Sequence, residues 1–239
     1  MDRIHLVECP RDALQGWPHQ VSTEDKVAYY RALLDVGFDT IDVGSFVSTK
    51  AVPSMANTAK VLTVIEDEGM LPKQGTRILV IAANERGATA ASKFETIDDI
   101  GFPLSLSETF QQRNTGASIE EAFSRLDKIQ NICLNNSKRL VVYLSMGFGN
   151  PYGEAWHPEM LTKFSDRLQR DLNVEVIALS DTVGTAVDHV VEDAFSAVIT
   201  ELPDIEFGAH LHLHATAGLS KIEAALRGGC LRFDGAIRG

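Results

Sequence analysis

Three histidines alternate in the run Ala209-His210-Leu211-His212-Leu213-His214. On an extended strand alternate side chains share a face, so the histidines point one way and Leu211 and Leu213 the other. Imidazole nitrogens two residues apart can ligate one ion together. A lone histidine in such a place is most simply a hydrogen-bonded core residue. Three in alternation at the end of a strand favour a metal. His212 and His214 lie nearest the strand's C-terminal end and are the candidate ligands; His210, one layer deeper, is expected to be a satisfied core histidine. A second run, Glu8-Cys9-Pro10-Arg11-Asp12, offers a hard oxygen ligand in Asp12 and an oxyanion donor in Arg11, although the same two residues could form a plain ion pair at a strand end. In Thr40-Ile41-Asp42-Val43-Gly44-Ser45, Asp42 faces away from Ile41 and Val43. A buried carboxylate there needs a partner, and Arg11 is the natural one, in a pair that is either structural or in support of chemistry. Asp181 stands at another strand-to-loop junction, followed by Thr182 as a candidate helix cap. Gly147-Phe148-Gly149-Asn150-Pro151-Tyr152-Gly153 has the composition of a shaped loop. One carboxylate with two imidazoles suits Mg²⁺ or Mn²⁺; Zn²⁺ and non-haem iron are also compatible.

Such residues act together only if a scaffold converges them. Apolar strand-like runs lie near Ile4–Cys9, Thr40–Gly44, Arg77–Ala82, Pro103–Ser107, Leu140–Met146, Val174–Ser180, Glu206–His212 and Leu231–Ile237. Helical patterns lie between them. Ser22-Thr23-Glu24-Asp25 is a capping start, Leu33, Leu34 and Val36 continue an apolar periodicity, and Gly37 stops it. Ser118-Ile119-Glu120-Glu121 opens another helix, and the stretches 159–171, 186–201 and 218–228 are helical in pattern. Alternating strands and helices imply βαβ units on a parallel sheet. Eight units suit a closed barrel better than a doubly wound sheet, since neither G-x-G-x-x-G after the first strand nor a P-loop occurs. The 239 residues are close to the ~250 of one α/β barrel. The expectation is a single (β/α)8 TIM barrel over residues 1–239, with chemistry at the C-terminal ends of its strands.

A net charge of −11 argues against nucleic acid as a partner, and no apolar run approaches the ~20 residues of a membrane span. The N-terminus lacks the pattern of a secretory signal. Cys9, Cys133 and Cys230 are odd in number, far apart and outside any C-x-x-C, as expected of reduced thiols in a cytoplasmic protein.

Taken together the runs resemble the metal-dependent lyase and synthase barrels, and among them the HMG-CoA lyase family. Pro10-Arg11-Asp12-Ala13-Leu14-Gln15 resembles that family's P-R-D-G-L-Q, and Ser45-Phe46-Val47-Ser48-Thr49-Lys50-Ala51-Val52-Pro53-Ser54-Met55 its S-F-V-S-P-K-x-V-P-x-M. Asn114, Ser118–Glu121, Pro151-Tyr152, Asp181–Gly184 and His214–Gly218 continue in the family's order. The resemblance implies cleavage of HMG-CoA, or of a close 3-hydroxyacyl-CoA, to acetyl-CoA and acetoacetate. It implies a divalent metal on Asp12, His212 and His214, Arg11 on the developing enolate, Asp42 fixing Arg11, and His212 or Asp12 as base. Gln15, Ser45 and Asn114 would line the substrate pocket. It further implies a homodimer, and a cysteine acid in a loop beyond residue 239, so that the barrel is expected without its C-terminal loop and helix. A polyanionic CoA ester would need local Lys or Arg against the acidic surface. The sequence departs from the pattern in three places: Asp42 replaces Glu, Ala215 replaces Asp, and the loop at 147–152 lacks the usual cysteine. Those departures leave two alternatives, a condensing enzyme or aldolase of the same barrel superfamily and a non-catalytic metal- or acyl-CoA-binding barrel.

Overall fold

The structure, a computed structural model, describes residues 3–70, 75–213 and 218–237. Eight parallel strands close into a barrel in chain order: β1 (His5–Glu8), β2 (Thr40–Ser45), β3 (Arg77–Ile81), β4 (Asp99–Ser105), β5 (Arg139–Ser145), β6 (Val176–Asp181), β7 (Glu206–Leu211) and β8 (Arg232–Gly235). The helices among the described residues are α1 (Pro10–Gln15), α2 (Thr23–Val36), α3 (Thr58–Asp67), α4 (Glu85–Ala91), α5 (Glu108–Thr115), α6 (Ile119–Asn135), α7 (Glu159–Leu172), α8 (Asp188–Glu201) and α9 (Gly218–Arg227), with a 3-10 turn at Pro53–Met55. The (β/α)8 expectation holds. Seven strands fall on their apolar runs, give or take their ends. The fourth begins earlier than Pro103, because Asp99 at its start is charged and obscures the run. Asp99 can open a buried strand because Arg77 Nη2 at 2.6 Å and Arg139 Nη2 at 2.9 Å neutralise it.

The capping start at Ser22 is as expected: its hydroxyl accepts from the Asp25 N–H at 3.0 Å, and Gly37 ends α2 with φ 84°. Ser118 does the same for α6, taking the Glu121 N–H at 3.1 Å while Glu121 Oε2 takes the Ser118 N–H at 2.8 Å.

The chain divides into two compact units. One comprises His5–Gly101, Lys128–Arg139 and the chain from Gly235 onward. In its core lie Ile41, Leu79, Val80 and Ile100, with Leu33, Val61, Leu62 and Ile65 buried on α2 and α3. The other comprises Met1–Ile4, Phe102–Asp127 and Leu140–Asp234; it buries Leu104, Val141, Val142, Leu144, Ile177 and Leu179 on its strands and Phe195 on α8. Strands with both faces covered read as near-continuous apolar runs, which is why they stood out in the sequence.

Candidate functional site

In the first unit β1 gives way at once to α1. Pro10 occupies the first helical turn, where its missing N–H costs nothing, and the Cys9 N–H is held by the Gly235 carbonyl at 2.8 Å. The short helix brings Arg11, Asp12 and Gln15 together. Arg11 Nε and Nη2 donate to Asp42 Oδ2 at 2.9 and 2.8 Å, and Nη1 donates to Asp12 Oδ1 at 2.9 Å and to Gln15 Oε1 at 3.2 Å. Residues four apart on a helix are neighbours, which puts Gln15 within reach. Asp42 is 0% exposed and Arg11 9%. Burial alone would lower the Arg11 pKa; the charges of Asp42 and Asp12 more than reverse that and hold the guanidinium firmly protonated.

Beyond Asp42 the register of β2 against β3 shifts before Gly44. Such an irregularity re-aims the side chains that follow. Gly44 permits the close approach of α3, since a Cβ there would lie 2.5 Å from Thr58 Cγ2. The Ser45 N–H donates to Thr58 Oγ1 at 3.3 Å, and that hydroxyl donates to the Met55 carbonyl at 2.8 Å. Lys26, buried on α2, donates to the Ser54 carbonyl at 2.5 Å and to Asn57 Oδ1 at 2.7 Å, and burial lowers its pKa. The strand end and its 3-10 turn are thereby fixed. They wall a cavity of about 410 Å³, lined among others by Ser45, Ser48, Thr49, Lys50, Asn84 and Arg86. Lys50 and Arg86 are the basic side chains of this lining, and sequence reasoning, which asked only for local Lys or Arg, singled out neither. Arg86 opens the helix after β3, where only contact across strands reveals it.

In the second unit His210 pairs with Ser180 on β6 and with Asp234 on β8 in the strand register. Its Nδ1 lies 3.1 Å from Asp234 Oδ2, and its ring meets Tyr143 edge-on at 5.3 Å. The His212 ring lies 5.5 Å from that of His210, so the two share a face as the alternation requires. His210 therefore has the partner expected of a satisfied histidine, and His212 stands exposed just past the end of β7. His214 and Ala215 lie outside the described residues.

Asp181 is committed to its own loop: its carboxylate accepts from the Thr185 and Ala186 N–H groups, each at 3.0 Å, and from Lys221 Nζ at 3.2 Å. Thr182 does not cap α8. Its hydroxyl accepts from the Met146 N–H at 2.9 Å, and α8 starts after Val187 without a side-chain cap. The chain needs five more residues to turn before helix geometry begins, which puts Thr182 out of reach. The loop after β5 is shaped, as its composition suggested. Asn150 Oδ1 accepts from the Tyr152 and Glu154 N–H groups, and Glu154 Oε1 accepts from the Thr109 N–H and hydroxyl. Asn114 is exposed on α5, beside Arg113, which stacks over the Tyr152 ring at 4.9 Å.

The closed parallel (β/α)8 barrel places the chain among the TIM barrels. The chain belongs to the HMGL-like family, which residues 4–239 match. It is 29% identical over 238 residues to a 3-hydroxy-3-isohexenylglutaryl-CoA/hydroxy-methylglutaryl-CoA lyase of Pseudomonas aeruginosa, covering 99% of this chain and 77% of that one. The crystal structure of hydroxymethylglutaryl-CoA lyase from Pseudomonas aeruginosa superimposes with a TM-score of 0.90 at 29% identity, over 99% of this chain and 77% of the other. An HMG-CoA lyase from Acinetobacter baumannii, solved in complex with coenzyme A and 3-methylmalate, gives 0.89 at 26% identity, over 99% and 75%.

Proposed function

We propose that this protein is a divalent-metal-dependent carbon–carbon lyase of the hydroxymethylglutaryl-CoA lyase type, cleaving HMG-CoA or a close 3-hydroxyacyl-CoA to acetyl-CoA and acetoacetate. The observation that carries the reading is Arg11, a buried guanidinium aligned by Asp42, Asp12 and Gln15 at the mouth end of β1. A donor held this way needs no reorganisation when negative charge develops beside it, which is what transition-state stabilisation asks. Asp12, His212 and His214 would hold the metal. The donor chemistry fits, since Asp12, His210 and His212 are side chains of the kinds that together hold an ion. A bound divalent ion supplies Lewis-acid polarisation of the substrate's tertiary hydroxyl and lowers its pKa.

Within that frame His212 or Asp12 takes the hydroxyl proton. The C–C bond then breaks, its electron pair passing to the thioester side as an enolate. Arg11 stabilises that charge, and a proton returned to the carbanion carbon completes acetyl-CoA. Asp42 keeps Arg11 in place. Ser45 lines the cavity at the end of β2, and the resemblance assigns Gln15 and Asn114 to the substrate as well. Lys50 and Arg86 beside the cavity at the end of β2 suit the phosphates of an acyl-CoA. The reading carries with it a cytoplasmic homodimer, which sedimentation checks.

The test is acetoacetate release from HMG-CoA with Mg²⁺ or Mn²⁺, repeated with EDTA. Metal-dependent release that is lost in His212→Ala supports the assignment. Absence of release from the metal-loaded complete gene product, with its C-terminal segment intact, overturns it.

A further inference from the structure

We propose that Lys221 is a positioning residue for His212, setting where that residue stands at the end of β7; this rests on the metal-dependent reading above. Lys221 lies on α9, and its side chain is only 11% exposed. A lysine on a helix ordinarily keeps its ammonium in water, and taking it out costs free energy that only good partners return. The partners here are Asp181 Oδ2 at 3.2 Å and the Gly184 carbonyl at 3.0 Å. Both belong to the turn that leaves β6. One ammonium thus ties α9 to the two ends of that turn.

The same turn grips His212. The Asp181 carbonyl accepts from the His212 N–H at 3.4 Å and from the Gly184 N–H at 3.2 Å. At the other end Gly184, with φ 70°, packs so closely on His212 that a Cβ would lie 3.0 Å from the His212 carbonyl oxygen. His212 is therefore held at its N–H and confined at its C=O by one short stretch of chain. The Asp181 carboxylate, 1% exposed, gives the turn its shape by accepting from the Thr185 and Ala186 N–H groups, each at 3.0 Å. Lys221 fixes where the shaped turn sits.

Placement is what His212 needs from its neighbours. It is exposed and stands one residue past Leu211, where β7 ends, so the strand proper no longer aims it. A buried ion pair is weak evidence for stability, since apolar residues of similar volume serve as well. What the Lys221–Asp181 pair supplies is geometry: several donors on one nitrogen join a carboxylate and a carbonyl that an apolar side chain cannot join. Removing a group that orients a metal-binding side chain from behind commonly costs about 10–100-fold in metal affinity or activity.

The experiment is titration of the metal-stripped complete gene product with Co²⁺, followed by its visible d–d absorption. Lys221→Met, Gly184→Ala and His212→Ala are compared, with far-UV circular dichroism and a urea midpoint on each. Lys221→Met keeps the length of the side chain and removes its donors. It should bind Co²⁺ about 10-fold more weakly and with altered bands while still folded. A purely structural lysine would lower the urea midpoint alone. Gly184→Ala presses on the His212 carbonyl from the same turn and should alter the bands too; if Lys221→Met does not fold, unaltered bands in Gly184→Ala overturn the proposal. Should a folded Lys221→Met bind Co²⁺ with the affinity and spectrum of the unaltered protein while His212→Ala does not, Lys221 positions nothing and the metal-dependent reading survives. Should the unaltered protein bind no Co²⁺, or His212→Ala bind it unchanged, both are overturned.

Discussion

Removing Asp42 tests whether the end of β1 is held by charge. In Asp42→Ala, Arg11 loses two charge-assisted hydrogen bonds, at 2.9 and 2.8 Å, inside a site where the carboxylate is 0% exposed. Breaking a buried pair from one side costs about 3–5 kcal/mol, because the remaining charge stays desolvated. Asp12 and Gln15 still hold Nη1, so the lower end, about 3 kcal/mol, is expected. At roughly 2–4 °C per kcal/mol for a chain of this size, that is a fall in Tm of about 6–12 °C. Removing both partners with apolar replacements, as in Arg11→Met with Asp42→Leu, leaves no orphan charge and should cost less than Asp42→Ala alone. Urea unfolding of the single and double variants gives the coupling directly. A cost under about 1 kcal/mol for Asp42→Ala would refute the reasoning, and so would a double variant that costs the sum of the singles.

Asp99→Asn addresses pH. Burial would raise the Asp99 carboxyl's pKa, but hydrogen bonds and charge from Arg77 and Arg139 more than offset that and hold it below the usual range. A depressed carboxyl contributes stability above its unfolded value of about 3.9 and loses it as pH falls through the lower folded value. Wild type should therefore lose more stability than Asp99→Asn between pH 5 and the acid limb, read by urea midpoints; equal slopes would count against the pairing. Gly87→Ala brings a Cβ to 2.4 Å from the Phe46 carbonyl oxygen and must displace the loop after β2. The expected cost is about 1–3 kcal/mol with a raised KM for the acyl-CoA, and an unchanged KM would separate that loop from binding. All three cysteines are buried, and burial pushes the thiols of Cys133 and Cys230 up to about 12. Ellman's reagent at pH 8 should label them only after denaturation.

The barrel was legible because closed parallel strands are buried on both faces and therefore apolar throughout, and because capping residues such as Ser22 and Ser118 mark where helices start. Arg11–Asp42 was legible for a related reason: a charge inside an apolar strand must be answered, and Arg11 directly follows the neighbouring strand β1. Two other features depend on register between elements distant in sequence, and a third on the course of a loop. Asp234 is level with His210 only once β7 and β8 pair, and Arg86 reaches the loop after β2 only once α4 is placed. Thr182 has the residue type of a helix cap; the distance to Val187, which decides the matter, is a property of the folded loop.

The order of carboxylates around Arg11 also bears on how the site works. Two acids face one guanidinium, and Arg11 divides its donors between them. Asp42, fully buried, takes two of the donors, and Asp12, whose side chain is 31% exposed, meets Arg11 through Nη1. The same Nη1 holds Asp12 and Gln15 while Nε and Nη2 hold Asp42, a division of labour that a planar fork permits and a lysine's point charge does not. The group proposed to stabilise the enolate is thus also the group that aims the proposed metal ligand. In the proposed site the two roles would be coupled through one guanidinium.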